Sequence, residues 1–365
     1  MIIRAIFVVK WLVSSSLVCM KHKSTIITAL PLIRLNLVFP LVEELERRKL
    51  DSRQVLSKFE LSSQDVISGD MFVPAPTMYA IVEELAAFSG DLHFGVCVGE
   101  NLDPWSWSPL SAAAELSNTV GEFLLRFLID AGDHASSVTY ALETTGKRTT
   151  FHERRITDGD IFPRQNDGFT VAFLLSMLSQ AIGSPWSGGK VIARVCDPSV
   201  VPGGYLGIRV AATDSLGPSI TFPSKWLVLP MSIEKTRQSL PHEIAKSPPP
   251  ARAIDAFLQV LQRHIHEFDL TSQRVAEICG INKRTLARRL QARGTSIQQE
   301  LAELRKARAE QELQNFNRTV TEIAAMVGYA DPTVFSRAFK RWTGVSPRQF
   351  RKNISKLALQ TESIK

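Results

Sequence analysis

Arg284 and Arg288 stand four residues apart, and Thr333, Arg337 and Lys340 form a second polar set further along the chain. A guanidinium on the outward face of a helix, near its start, can donate two hydrogen bonds to O6 and N7 of guanine, the commonest base-specific contact in a major groove. That chemistry requires a helix to hold the cations on one side. At 100° per residue, Leu286 and Leu290 mark a buried stripe that puts Arg284 and Arg288 on the opposite face, and Phe335 and Phe339 do the same for Thr333, Arg337 and Lys340. A single charged helix face is usually just solvated surface. Here Arg288 and Arg337 recur at corresponding places in a duplicated pattern, which favours a binding role.

The duplication includes the elements that must position these side chains. The first copy runs Val275-Ala276-Glu277-Ile278-Cys279-Gly280, then Asn282, then Leu286 to Leu290; the second runs Ile323-Ala324-Ala325-Met326-Val327-Gly328, then Asp331, then Phe335 to Phe339. Ala276 corresponds to Ala324 and Gly280 to Gly328, and the second turn is one residue longer. A small Ala lets two helices approach, Gly ends the first helix where positive φ is expected, and Asn282 or Asp331 supplies an oxygen to cap the next. Each copy reads as a helix-turn-helix. Between them, Ser296 to about Gln314 carries Ile297, Leu301, Leu304 and Leu313 at helical spacing. About 18 residues of helix span roughly 27 Å, enough with the heads' own width to set two recognition helices in major grooves about 34 Å apart.

Taken together these residues resemble the AraC/XylS transcription regulators. The resemblance is carried by Ile323 to Tyr329, Asp331 to Trp342 and Gly344 to Arg351, with Leu304-Arg305 and Arg308-Ala309 similar to that family's central linker helix. It covers about residues 252 to 352 and implies a seven-helix DNA-binding domain reading tandem grooves near promoters. By motif position it places base-reading roles on Arg284, Ala287 and Arg288 in the first head and on Thr333, Ser336 and Arg337 in the second, with Lys340 on the same outward face. Ala287 departs from the long polar residue often found there, which points that position toward shape readout or a thymine methyl.

Charge agrees with a polyanionic partner. The chain carries 43 Lys plus Arg against 36 Asp plus Glu, a net charge of +7. From Arg252 to Asn353, 18 basic residues face 10 acidic ones, whereas residues 1 to 251 hold 23 against 25. Basicity belongs to the reading domain. The Phe residues and Trp342 at helical spacing are read as core, not as base-stacking platforms.

A length of 365 residues suggests more than one domain, and 44% hydrophobic residues suffice for real cores. The expected organisation is an extension over 1–20, a regulatory domain over 21–240, a Pro-rich linker over 241–251 that includes Pro248-Pro249-Pro250, the DNA-binding domain over 252–352, and a tail over 353–365. The fold class is multidomain: a mixed α/β sensor followed by an all-α domain with two helix-turn-helix units. In the sensor, apolar spacing predicts helices over Leu37–Lys49, Thr77–Ser89, Ala112–Ala131 and about Phe169–Ile182. A hairpin is expected over Val138–Glu143 and Thr149–Arg155 across Thr144 to Lys147, with strands near Val191–Val195 and Tyr205–Val210. Leu92 to Gly99, Leu116 to Phe127, and Thr221-Phe222-Pro223 leading to Leu227–Pro230 resemble the arabinose-binding-type N-terminal domain of one branch of the same regulators. The resemblance spans roughly residues 36 to 235. It implies an effector-sensing role and names no ligand. Trp105, Trp107, Arg154, Arg155 and Trp186 are of suitable types to line such a pocket, and each is read first as structural or surface.

Catalytic constellations fail on spacing. Gly183 to Lys190 has five residues between Gly183 and Gly189, and Lys190 is followed by Val191, where a phosphate loop needs four and then Ser or Thr. His264 and His266 lie two apart on a helix and diverge. Cys19, Cys97, Cys196 and Cys279 show no metal spacing and suit a reducing compartment, with Cys279 expected in the core of the first head. Neither a cofactor nor a metal is expected, and the chain is read as no enzyme. The segment Ile2 to Cys19 is apolar, but its longest uncharged run, Trp11 to Met20, falls short of the roughly 20 residues of a membrane span. It reads as an upstream start miscall with initiation at Met20, and a cytoplasmic location is expected. The function that emerges is regulation of transcription by sequence-specific binding to double-stranded DNA, under a small-molecule effector, with RNA polymerase as a further partner. Membrane association is not expected, and homodimerisation is left open.

Overall fold

The computed structural model describes residues 31–68, 71–106, 108–130, 137–156, 162–232, 253–268 and 270–362. The 1–20 extension and the Pro-rich run at 241–251 lie outside them. The chain divides into two compact units between Pro249 and Pro250.

The first unit mixes helices with a sheet. In chain order the elements are β1 (Leu32–Arg34), α1 (Phe39–Arg47), α2 (Arg53–Leu56), α3 (Ser63–Ser68), β2 (Phe72–Pro74), α4 (Ala75–Ser89), α5 (Phe94–Asn101), α6 (Ser108–Glu115), α7 (Val120–Asp130), β3 (Val138–Thr145), β4 (Arg148–Arg155), α8 (Arg164–Ile182), β5 (Ile192–Val195), β6 (Arg209–Ala212) and β7 (Ser219–Pro223). The main sheet is ordered β3-β4-β7-β5-β6, antiparallel except where β5 pairs with β6. α6, α7 and α8 pack on it around Phe123, Phe127, Phe151, Phe222 and Trp226, all fully buried. A second core joins α1 and α4 through Leu41, Leu45, Ile81 and Leu85, beside the small antiparallel pair of β1 and β2.

Several sequence expectations change here. The helix expected over Ala112–Ala131 is two helices. Thr119 interrupts it: its Oγ1 accepts from the Glu122 N–H at 3.2 Å to start α7, while its backbone bridges to Pro230. The hairpin strands run through Thr145 and resume at Arg148, leaving Gly146-Lys147 as the turn, with Gly146 at φ +59°. α8 begins at Arg164, earlier than its apolar period indicates, because Glu83 on α4 accepts the Gln165 N–H at 2.7 Å and holds that first turn. The strand expected over Tyr205–Val210 begins as a 3-10 turn at Tyr205–Gly207 and becomes β6 only at Arg209.

The second unit is helical: α9 (Ala253–His264), α10 (Ser272–Ile278), α11 (Lys283–Gln291), α12 (Ile297–Leu313), α13 (Val320–Met326), α14 (Pro332–Thr343) and α15 (Pro347–Glu362). Residues 353–362, expected as part of a tail, continue α15. The core of its second half is Ala309, Leu313, Ile323, Ala324, Val327, Phe335 and Phe339, with Tyr329, Trp342 and Phe350 packed against it. Trp342 stands edge-on to Tyr329 and Phe339, ring centroids 6.1 and 6.5 Å apart, as core and not as a free stacking face.

Candidate nucleic-acid interface

The two heads repeat each other down to single hydrogen bonds. In the first, Thr271 Oγ1 accepts from the Arg274 N–H at 3.2 Å and starts α10. In the second, Thr319 and Glu322 form a reciprocal capping box at the start of α13: the Glu322 carboxylate accepts the Thr319 N–H at 2.6 Å, and Thr319 Oγ1 accepts the Glu322 N–H at 3.1 Å. The Thr319 N–H and, at 2.9 Å, the Thr319 hydroxyl both donate to the Glu322 carboxylate and hold it below its ordinary pKa. Gly280 and Gly328 end the two helices at φ +63° and +77°. One residue beyond each Gly, the chain folds back in the same way, with Ile281 N–H donating to the Ala276 carbonyl at 3.0 Å and Tyr329 N–H to the Ala324 carbonyl at 2.9 Å. Ala276 and Ala324 are both fully buried. A larger side chain at either place would push the turn away from its helix.

The same turns launch the recognition helices. Asn282 Oδ1 accepts from the Thr285 N–H at 2.8 Å and caps α11. Asp331 Oδ1 accepts from the Thr333 N–H at 2.6 Å and caps α14, whose first position is Pro332. That backbone donor also lowers the Asp331 pKa. α11 buries Leu286, Arg289 and Leu290. α14 buries Phe335, Ala338 and Phe339. Arg284, Ala287 and Arg288 are therefore exposed together on α11, and Thr333, Arg337 and Lys340 on α14. Ser336 sits less openly: it is half-buried, and its hydroxyl donates to the Pro332 carbonyl at 2.8 Å. Cys279 is fully buried, and burial pushes its thiol up to about 12, which makes it inert at neutral pH.

Between the heads, Ser296 caps α12, whose Oγ accepts from the Gln299 N–H at 3.3 Å. Its 17 residues correspond to about 26 Å of helix. Ile297, Leu301, Ala309 and Leu313 are buried, while Glu312 is held by Arg308 at 2.7 Å and by Arg318. The sequence pattern missed Lys283 and Arg341, two exposed cations of α11 and α14 that line a cleft in this unit together with Arg305. The signal was present: Lys283 stands four residues before Ala287, and Arg341 four after Arg337.

In the first unit the residues of ligand-contact type are engaged in the fold. Trp105 Nε1 donates to Gln180 at 2.7 Å, Trp186 packs on Trp226 with centroids 5.4 Å apart, and exposed Arg154 pairs with Glu143. Trp107 lies outside the described residues. Arg155 is buried in a charge cluster: it pairs with Asp167, lies 3.7 Å from Glu153, and stacks over Tyr79 at 5.3 Å. Burial raises the Glu153 carboxyl to about 7. Among the described residues no group of three or more His, Cys, Asp or Glu could hold a metal ion, and no described helix is long and apolar enough to cross a membrane.

A family model described as a helix-turn-helix domain matches residues 275–353, and one described as the arabinose-binding domain of AraC transcription regulator, N-term, matches residues 50–198. An uncharacterized HTH-type transcriptional regulator of Mycobacterium tuberculosis is 41% identical over 76 residues, 21% of this chain and 22% of that protein. The raffinose operon transcriptional regulatory protein RafR of Pediococcus pentosaceus is 50% identical over 60 residues, 16% of this chain and 22% of that protein. Over a longer span, the HTH-type transcriptional regulator VirS of Mycobacterium tuberculosis is 22% identical over 233 residues, 60% of this chain and 66% of that protein. The match thus spans 22% of the length of the first two relatives. With a duplicated helix-turn-helix in one unit, a mixed α/β fold in the other, and a family model matched in each, the chain belongs to the AraC family of transcription regulators, in the branch with an arabinose-binding-type N-terminal domain.

Proposed function

We propose that this chain is a sequence-specific DNA-binding transcription regulator under the control of a small-molecule effector, reading two adjacent major grooves with its tandem heads. The observation that carries the reading is the second presentation of the same outward set: Arg284, Ala287 and Arg288 on one capped helix, and Thr333, Arg337 and Lys340 on another built with the same turn. Arg288 and Arg337 take guanine edges, Thr333 and Ser336 make shorter contacts, and Ala287 meets a methyl or reads shape. The first unit binds the effector and changes how the heads occupy DNA in the cytoplasm or meet RNA polymerase; it also provides the surface on which a homodimer would form. Hydroxyl-radical footprinting of the full chain on a duplex it selects tests the tandem geometry. Two protected patches on one face, about one helical turn apart, are expected. A single patch would contradict reading by both heads.

A further inference from the structure

Within the second unit lies a cleft of about 440 Å³ that draws its lining from both heads and the helix between them: Lys283 from α11, Gln298 and Arg305 from α12, Tyr329 from the second turn, and Arg341 and Trp342 from α14. Three of the described lining residues are cations, and none carries a carboxyl group. The Arg305 guanidinium is stacked on the Tyr329 ring at 5.1 Å, and its Nε is buried without a hydrogen-bond partner. The base-reading residues do not line this cleft, yet it lies beside them. Arg341 follows Arg337 by four residues and Lys283 precedes Ala287 by four, each a displacement of about 40° around its helix. The two exposed cations therefore continue the outward stripes of the recognition helices toward the space between them. When two heads occupy successive major grooves, the sugar-phosphate backbone is what crosses that space.

We propose that this cleft is a seat for backbone phosphodiesters between the two grooves, with Lys283 and Arg341 pairing to phosphate oxygens, Gln298 donating a hydrogen bond, and Arg305 adding positive potential. The inference rests on the DNA-binding reading given above. It assigns Lys283 and Arg341 a sequence-independent role: they hold the duplex in register between the heads and leave discrimination to the base readers. A carboxyl-free lining favours this occupant, because any acid there would repel the phosphate it is meant to hold.

The test uses the full chain with Lys283→Gln and Arg341→Gln, singly and together, and Arg337→Ala as a contrast. Affinity for the selected duplex and for a random duplex is measured across a salt series, and again with neutral methylphosphonates replacing the phosphates between the half-sites. Each glutamine variant is expected to bind both duplexes more weakly by the same factor, roughly three- to tenfold, and to flatten the slope of log affinity against log salt by about 0.9 per phosphate lost. Arg337→Ala should lose affinity on the selected duplex alone. Methylphosphonates should weaken the wild type clearly more than the double variant, which keeps only Gln298 and Arg305 of the seat. Unaltered slopes, losses confined to the selected duplex, or a methylphosphonate penalty equal in wild type and double variant would each overturn the seat. The methylphosphonate result on the wild type decides even if a variant folds poorly, since a chain indifferent to central neutralisation has no such seat. A wild type that prefers no sequence defeats the regulator reading while the slopes on random DNA still judge the cleft. One that binds no duplex defeats both.

Discussion

Arg288 and Arg337 each face solvent from a helix whose opposite side is locked by Leu or Phe, so their orientation was legible from spacing alone. Replacing either with Ala is expected to cost on the order of 1–3 kcal/mol on the selected duplex and to relax preference at one base position, as read by competition against single-base variants. Equal losses on random DNA would instead make that arginine a phosphate contact. Ser336 was less legible, because its helical position does not reveal that its hydroxyl is engaged with the Pro332 carbonyl. The buried cluster around Arg155 was illegible too. Glu153 and Arg155 share one face of β4, but the partners that make the site a charge cluster, Asp167 and Tyr79, come from two other elements. Burial sets the folded pKa of Glu153 at about 7, above its ordinary 4.5, so folding favours the protonated form. The stabilisation is full below about pH 4.5 and disappears as pH rises through about 7, an effect on the order of 3 kcal/mol. Thermal melts of the wild type should fall over that window. Glu153→Gln, neutral throughout, should give a flatter profile, and an unchanged profile would assign the pH dependence elsewhere.

Elements were read well where a long apolar period meets a strong boundary residue. α11, α12 and α14 begin immediately after Asn282, Ser296 and Asp331, the oxygens that cap them. Three-residue strands such as β1 and β2 carry less than two periods of alternation and gave no signal. The split between α6 and α7 depends on a bridge to Pro230, more than a hundred residues away, which no local pattern contains. Turn glycines allow a graded test. Gly294 and Gly328 both have positive φ, at +74° and +77°, but a Cβ on Gly294 meets nothing within 4 Å, whereas one on Gly328 would lie 2.5 Å from the Ile265 carbonyl and 2.8 Å from that of Glu267. Gly294→Ala should cost roughly 1–2 kcal/mol of backbone strain. Gly328→Ala should cost a further ~1–3 kcal/mol from the forced contact. Urea midpoints of the two variants measure the difference, and equal midpoints would show that the second turn shifts freely. Thr319→Ala removes half of a capping box and should cost about 1 kcal/mol in the same assay.

At the scale of the whole molecule, the charge partition was visible before any fold was known, because it depends only on where the lysines and arginines fall: the last third carries the positive excess. The sheet order of the first unit was not, since β7 inserts between β4 and β5 by pairing with both, and such non-local pairing leaves no mark in local composition. The basic unit is expected to bind any duplex weakly and with steep salt dependence, and to add sequence preference through the two recognition helices. Simultaneous base reading by both helices is tested most directly by selection of bound sequences from a random duplex pool with the full chain at physiological salt. The expected result is a recovered motif with two half-sites spaced about one helical turn, roughly 10 base pairs, apart. Recovery of one isolated half-site, or of sequences no different from the starting pool, would contradict it.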